Sequence, residues 1–177
     1  MTEPLDFCRV KKFDEKGYGF LRSLYYPGDI FFHFSWIKKE LFLDKLQAMK
    51  RGDFFLYFQS VLQPNGKRKT QKIWYSLDEV PREFIPAFAE QLIADLNEGK
   101  TNTFDIIYAF TQLKRCGYLT QELLHKFLTA RKIIALPTTI LSALSADEII
   151  YFKTLLNLDE LEKSNNKPFW FDDMLEA

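Results

Sequence analysis

Glycines alternate with aromatic residues in Lys16–Leu21, and this stretch constrains the fold more than any other. Successive side chains of a β-strand point to opposite faces, so a strand here places Tyr18 and Phe20 on one face. Gly17 and Gly19 lie between them. Because glycine weakens a strand and adds no packing, its presence indicates that the backbone is approached closely.

A second stretch, Asp29–Ser35, predicts another strand of the same kind. Alternation places Phe31 and His33 on one face, while Ile30 and Phe32 point the other way. If this strand pairs with the first, four flat rings lie side by side on one surface. Aromatic side chains in strands are most often part of a core, so a purely structural role is the alternative interpretation.

Basic residues on or beside this surface favour a binding role. They are Lys11, Lys12, Lys16 and Arg22. Bases stack on exposed rings at about 1–3 kcal/mol each, and nearby cations follow the phosphates. Rings and cations together predict a surface for single-stranded nucleic acid.

Val10–Leu21 followed by Asp29–Ser35 resembles the two ribonucleoprotein motifs of the cold-shock domain, and the resemblance covers about residues 1–77. It implies a five-stranded antiparallel OB-type β-barrel that binds single-stranded RNA or DNA. Lys12 is a departure, because the family usually has a stacking tryptophan there. The resemblance implies base stacking on Tyr18, Phe20, Phe31, His33 and Phe34, and backbone contacts for Lys11 and Lys16.

Pro64–Gly66 is typical of a hairpin turn, and basic residues follow it. This turn is either a solvated hairpin tip or an arm that follows the phosphates past the rings. The strand before it, Phe54–Leu62, is apolar on both faces, which predicts burial against something beyond the barrel. The full predicted nucleic-acid-binding set is Lys11, Lys12, Phe13, Lys16, Tyr18, Phe20, Phe31, His33, Phe34, Lys67, Arg68 and Lys69.

Charge divides the chain into two halves. Residues 1–77 carry 14 Lys and Arg against 8 Asp and Glu, a net charge of +6, whereas residues 78–177 carry 10 against 16, a net charge of −6. A basic half suits a phosphate backbone, and an acidic half suits a protein surface or an internal counterweight.

From Pro81 onward the pattern becomes helical and predicts an all-α bundle of four to five helices over residues 81–163, with no recognised family. Gly99 is expected to end the first of these helices, and Ser145–Glu148 is a capping box that predicts the start of another. The expected fold class is therefore α+β with two domains, 1–77 and 81–163. Residues 164–177 form an acidic and aromatic tail, which either pins the terminus to the bundle or competes with nucleic acid for the rings.

Catalytic and metal chemistry find little support in the sequence. The spacing of the histidines and cysteines predicts neither a set of metal ligands nor a catalytic Cys–His pair. The chain has two of each, His33 and His125, and the distant Cys8 and Cys116. Gly99–Thr101 imitates the end of a phosphate-binding loop, but it follows a helix where such a loop follows a strand. We therefore expect no enzyme activity and no cofactor or metal.

The sequence predicts a protein that binds single-stranded RNA or DNA and holds strands unpaired, as the resemblance to RNA chaperones implies. Its helical domain is expected to bind a protein partner or to dimerise. The absence of an apolar leader or a membrane-length apolar run predicts a cytoplasmic protein without membrane contact. The alternative is an adaptor whose barrel binds a protein target, which Lys12 and the acidic second half favour.

Overall fold

The structure is a computed structural model that describes residues 3–10, 18–33 and 54–177. The chain divides into two compact units, Met1–Gln91 and Leu92–Ala177. This division falls later than the sequence-based boundary at residue 77. A separately folded domain over 81–163 stays a prediction.

The first unit contains a five-stranded curled sheet. Its strands are β1 (Asp6–Arg9), β2 (Tyr18–Leu21), β3 (Ile30–His33), β4 (Phe55–Leu62) and β5 (Arg68–Trp74). They lie in the order β1-β4-β5-β3-β2. The predicted α+β class is confirmed, because this sheet is followed along the chain by several helices.

The prediction that the sheet is antiparallel is wrong, because β3 and β5 run parallel. Ile30 lies opposite Arg68, and Phe31 lies opposite Lys69. The other pairs, β1–β4, β4–β5 and β2–β3, are antiparallel. Side chains alternate in the same way in either strand direction, so the sequence pattern does not distinguish a parallel pair from an antiparallel one.

The apolar core of the sheet lies on one face. Its buried residues are Val10, Leu21, Ile30, Phe32, Phe54, Leu56 and Phe58. Burying each such side chain contributes about 1.5–3 kcal/mol relative to leaving it in water. The prediction that Ile30 and Phe32 share one face of their strand is confirmed, and this face, with Leu21 of β2, points into the core.

Strand β4 is buried on its other face as well, as the sequence predicts. Phe7 stacks on Phe55 with ring centroids 5.1 Å apart, and Tyr57 lies beside it at 5.3 Å. Phe88, which follows the strands in sequence, contacts Tyr57 at 5.9 Å. This residue explains why β4 is apolar on both faces.

A buried carboxylate links β1 to the chain that follows β2. Asp6 is 1% exposed, and its Oδ1 accepts the backbone N–H groups of Phe7 and Leu24, each at 2.8 Å. Its Oδ2 accepts the hydroxyl of Ser23. The Ser23 oxygen in turn accepts the N–H groups of Tyr25 and Tyr26, at 2.9 and 3.0 Å. We call this arrangement the Asp6 bracket.

Burial raises the pKa of Asp6 from 3.8 to about 6, although its hydrogen bonds and Arg68 act in the opposite direction. A carboxyl group with a raised pKa in the folded state stabilises the fold below its unfolded pKa, and that contribution is lost as pH rises through the folded pKa. The relevant window therefore lies between about pH 4 and pH 6.

Asp6→Asn should remove this pH dependence, because the amide does not titrate. In urea unfolding between pH 4 and pH 7, wild-type stability should fall relative to the variant by up to about 3 kcal/mol as pH rises. A difference between the two proteins that stays the same at every pH would contradict the role given to Asp6.

Regular structure after β5 is helical. The α-helices are α1 (Ile85–Glu98), α2 (Thr103–Arg115), α3 (Gln121–Leu128), α4 (Arg131–Ala135), α5 (Ala146–Leu156), α6 (Leu158–Glu162) and α7 (Phe171–Glu176), and 3-10 turns lie at Leu77–Glu79, Arg82–Phe84 and Pro137–Ala143. Within the described ranges, no helix combines the length and the apolar character needed to cross a membrane.

The predicted capping box at the start of α5 is confirmed. The Ser145 hydroxyl accepts the N–H of Glu148 at 3.3 Å, and the Glu148 carboxylate accepts the N–H of Ser145 at 2.7 Å. Lys114 also pairs with Glu148, which connects α2 to α5. These contacts, like those of a typical capping box, satisfy amide groups that the first turn of a helix leaves unpaired.

The C-terminal segment packs within its own unit. Trp170, Phe171 and Met174 are buried, and α7 contacts α6 and the 3-10 turn Pro137–Ala143. Of the two interpretations of the tail, this packing favours the one in which the rings pin the terminus. Phe169 is the exception among the three consecutive rings, with 81% of its surface exposed.

Gly99 ends α1 as predicted, and the structure shows why glycine is needed there. A Cβ atom at position 99 would lie 1.4 Å from Asp95 Oδ1 and 2.8 Å from the Asp95 Cα. The Asp95 side chain cannot move away freely, because it is buried and accepts the Thr101 hydroxyl at 2.5 Å.

Gly99→Ala should therefore destabilise the protein by roughly 1–3 kcal/mol, the usual range for overpacking. Gly28→Ala is the matched control, since a Cβ there meets nothing within 4 Å. Urea unfolding of both variants tests the expectation. Equal stability of the two variants would show that the Asp95 contact is not a constraint.

Candidate nucleic-acid interface

The register of β2 and β3 brings the predicted rings together. Tyr18 lies opposite His33, and Phe20 lies opposite Phe31. The intervening pairs point inward, as the buried partners Gly19 and Phe32 show. The two short strands thus present four rings on one face, as the alternation in the sequence predicts.

Three of these rings form a close cluster. The centroids of Tyr18, Phe20 and Phe31 are 6.0 Å apart in each of the three pairs. The Tyr18 and Phe31 rings are nearly parallel, at 29°, and Phe20 stands edge-on to both. Phe20 is 58% exposed, which is unusual for so large an apolar side chain. We call Tyr18, Phe20, Phe31 and His33 the ring surface.

A cation continues the ring surface onto the next strand. Lys69 lies opposite Phe31 on one side and Val61 on the other, and its side chain is exposed. The Thr70 hydroxyl donates to the Phe31 carbonyl at 3.2 Å and adds a side-chain link between the strands. One row across four strands therefore reads Phe20, Phe31, Lys69 and Val61.

Lys67 lies at the tip of the β4–β5 hairpin. Gly66 has φ = +82°, a conformation that suits glycine, and the Lys67 N–H donates to the Asn65 side chain at 2.9 Å. The Lys67 side chain is exposed. The predicted hairpin is confirmed, whereas its role as an arm along the phosphates stays a prediction.

The structure places Arg68 differently from its two lysine neighbours. Its guanidinium pairs with Glu3 at 2.8 Å and lies 3.6 Å from the centroid of the Tyr26 ring. It also donates to the hydroxyl and the carbonyl of Ser60, at 3.0 and 3.1 Å. This cation is therefore surrounded by partners within its own unit.

Sequence reasoning missed a β-bulge beside this site. The β4–β5 register shifts between Gln59 and Ser60, whose partners are Lys72 and Thr70, so Gln71 is the extra residue. Gln71 and Lys72 are consecutive and both exposed. Bulges re-aim side chains in this way, and no residue in the stretch signals the shift, since it depends on the pairing of two strands.

Other predicted residues lie outside the described part of the chain. They are Lys11, Lys12, Phe13, Lys16 and Phe34. The predictions made for them therefore stay predictions. The described members of the set are the ring surface, the two hairpin lysines and Arg68.

Within the described ranges, no group of three or more His, Cys, Asp and Glu side chains is arranged to hold a metal ion. His125 instead lies 2.9 Å from the hydroxyl of Tyr151, measured from its Nδ1, and joins α3 to α5. The Gly99–Thr101 segment follows helix α1, as predicted, whereas a phosphate-binding loop follows a strand.

The chain matches no protein-family model, no curated protein and no solved structure. The resemblance to the cold-shock domain stays a prediction that depends on the two motifs. The geometry of the ring surface stands independently of it.

The two faces of β2 and β3 should respond very differently to truncation. Phe32→Ala empties a fully buried site and should cost about 3–5 kcal/mol. Phe20→Ala removes a ring that is already mostly in water and should cost about 1 kcal/mol. Urea unfolding of each variant measures both values, and similar losses would show that Phe20 belongs to the core.

Proposed function

We propose that the ring surface binds single-stranded RNA or DNA by stacking bases, with Lys69 and Lys67 facing the phosphates. The observation that carries this proposal is the cluster of one exposed ring, Phe20, and two half-buried rings, Tyr18 and Phe31, with an exposed lysine beside Phe31 on the next strand. A core role would bury Phe20, and its 58% exposure argues against that role.

The energies of the two contact types support the proposal. Each stacked base contributes about 1–3 kcal/mol, so three rings supply roughly 3–9 kcal/mol before the cost of ordering the strand. Each phosphate that a lysine neutralises releases counterions, which makes the affinity fall with salt. The rings set the affinity without reading the base sequence, because every base has a face that can stack.

The architecture of the first unit is compatible with this function. OB-type folds are five-stranded, partly open barrels that bind oligonucleotides on the face of their second and third strands. In this chain the rings lie on β2 and β3 of a curled five-stranded sheet. This position of the rings supports the proposal, while membership of the cold-shock family stays a prediction.

The proposed mechanism is occupancy and needs no chemical step. A strand whose bases are stacked on protein rings cannot pair those bases with another strand at the same time. The protein would hold short segments unpaired, as RNA chaperones do, and the helices after β5 would bring this activity to a protein partner.

The proposal predicts that an oligonucleotide of about ten thymidines or uridines binds the full chain. In the Phe20→Ala/Phe31→Ala double variant, loss of two stacked bases should weaken binding at least about 30-fold. Phe169→Ala is the control, because it removes an exposed phenylalanine ring in the other unit. Fluorescence anisotropy at several salt concentrations measures the affinities.

Two results would contradict the proposal. Equal binding by wild type and the double variant would show that the rings are not the contact. Failure of the wild-type chain to bind either oligonucleotide at low salt would favour the alternative, in which the first unit binds a protein target.

A further inference from the structure

Among the described basic residues of the predicted nucleic-acid-binding set, Arg68 makes the most contacts, and these contacts lie within the protein. Its side chain is only 14% exposed. Glu3 and Ser60 accept its hydrogen bonds, and Tyr26 lies against its flat face. Its Nε and Nη2 groups donate within the protein and its side chain is mostly buried, so Arg68 is less available to a phosphate than the exposed Lys67 and Lys69.

The partners of Arg68 are themselves held in place. The Tyr26 hydroxyl donates to the same Glu3 carboxylate oxygen that accepts Arg68, at 2.8 Å. Gln59 on β4 donates its amide to the backbone carbonyl of Glu3 at 2.5 Å. Arg68 thus joins residue 3, the chain after β2, and strands β4 and β5.

These contacts fall at the bulge between Gln59 and Ser60. A bulge interrupts the regular hydrogen bonds between two strands. Side-chain contacts beside the bulge therefore help to fix the relative position of the strands. Arg68 donates to both the hydroxyl and the carbonyl of Ser60, one at 3.0 Å and one at 3.1 Å. It therefore fastens β5 to β4 immediately before Lys69.

The next residue along β5 lies in the row that contains the rings. Lys69 is opposite Phe31, while Arg68 is opposite the buried Ile30. Successive side chains point to opposite faces, so Arg68 and Lys69 cannot face the same ligand from a regular strand. Fixing the position of one fixes the direction of the other.

We propose that Arg68 is a positioning residue of the nucleic-acid surface, which holds β5 so that Lys69 faces the phosphates beside Phe31. Arg68 itself does not contact the nucleic acid. This inference rests on the proposed function, and it changes the role that the sequence pattern assigns to one of three consecutive basic residues.

The first test measures salt dependence with the same fluorescent thymidine oligonucleotide. Lys69→Gln should weaken binding and reduce the slope of log affinity against log salt by about 0.7, the value for one phosphate contact with a single strand. Arg68→Lys keeps the charge but loses the planar fork and the stacking on Tyr26. It should weaken binding roughly five- to tenfold, through the misplaced Lys69 contact. If Arg68 were a phosphate contact, Arg68→Lys would bind about as well as wild type.

In the second test, the two possible roles of Arg68 predict changes in affinity of opposite sign. Glu3→Gln releases Arg68 from its carboxylate partner. If Arg68 binds phosphate, releasing its side chain should strengthen binding of the oligonucleotide. If Arg68 is a positioning residue, releasing its side chain should weaken binding, because β5 and Lys69 are then held less firmly. Glu83→Gln is the control for removing one negative charge, because Glu83 is exposed in the same unit.

The outcomes separate the two proposals. Weaker binding by Arg68→Lys and Glu3→Gln supports the positioning role, provided that urea unfolding shows both variants folded under the binding conditions. Stronger binding by Glu3→Gln than by Glu83→Gln overturns the positioning role and leaves the proposed function intact. Absence of binding by the wild-type chain overturns both.

Discussion

The carboxylate of Asp6 connects strands that lie at the two ends of the described sheet. β1 and β2 are the outermost strands in the order, yet Asp6 on β1 accepts the N–H of Leu24 and the hydroxyl of Ser23, just after β2. A buried charge without such donors would be too costly to retain. Among the described strands β2 pairs with β3 alone, so the bracket adds a link between the chain after β2 and the strand at the opposite end of the order.

The position of β2 matters because its side chains contribute both to the core and to the ring surface. Leu21 lies in the core, while Tyr18 and Phe20 point outward. On β3, Ile30 and Phe32 are fully buried beneath Phe31. The proposed binding needs rings whose support does not shift when a ligand arrives, and a packed core beneath short strands gives such support.

Charge in this unit is divided between the interior and the surface. Asp6, Glu3 and Arg68 make contacts within the protein, whereas Lys67 and Lys69 remain exposed. Because these internal charges are two acids and one base, pairing them inside the protein does not reduce the net charge of +6 over residues 1–77. Desolvation explains why the arginine is internal and the lysines are exposed. A guanidinium is more weakly hydrated than an ammonium, so it is more readily buried in an ion pair, whereas a lysine keeps its charged end in water.

Local patterns in the sequence determined much of what the structure shows. Alternation alone placed Tyr18 and Phe20 on one face and Phe31 and His33 on one face, because the strand period is a property of the backbone. The capping box at Ser145 and the helix end at Gly99 likewise depend on residues a few positions apart. Only the tertiary structure decided that β5 runs parallel to β3, that Gln71 is a bulge, and that Arg68 turns toward Glu3. Each of these depends on which distant segments meet, and no pattern confined to one segment contains that information.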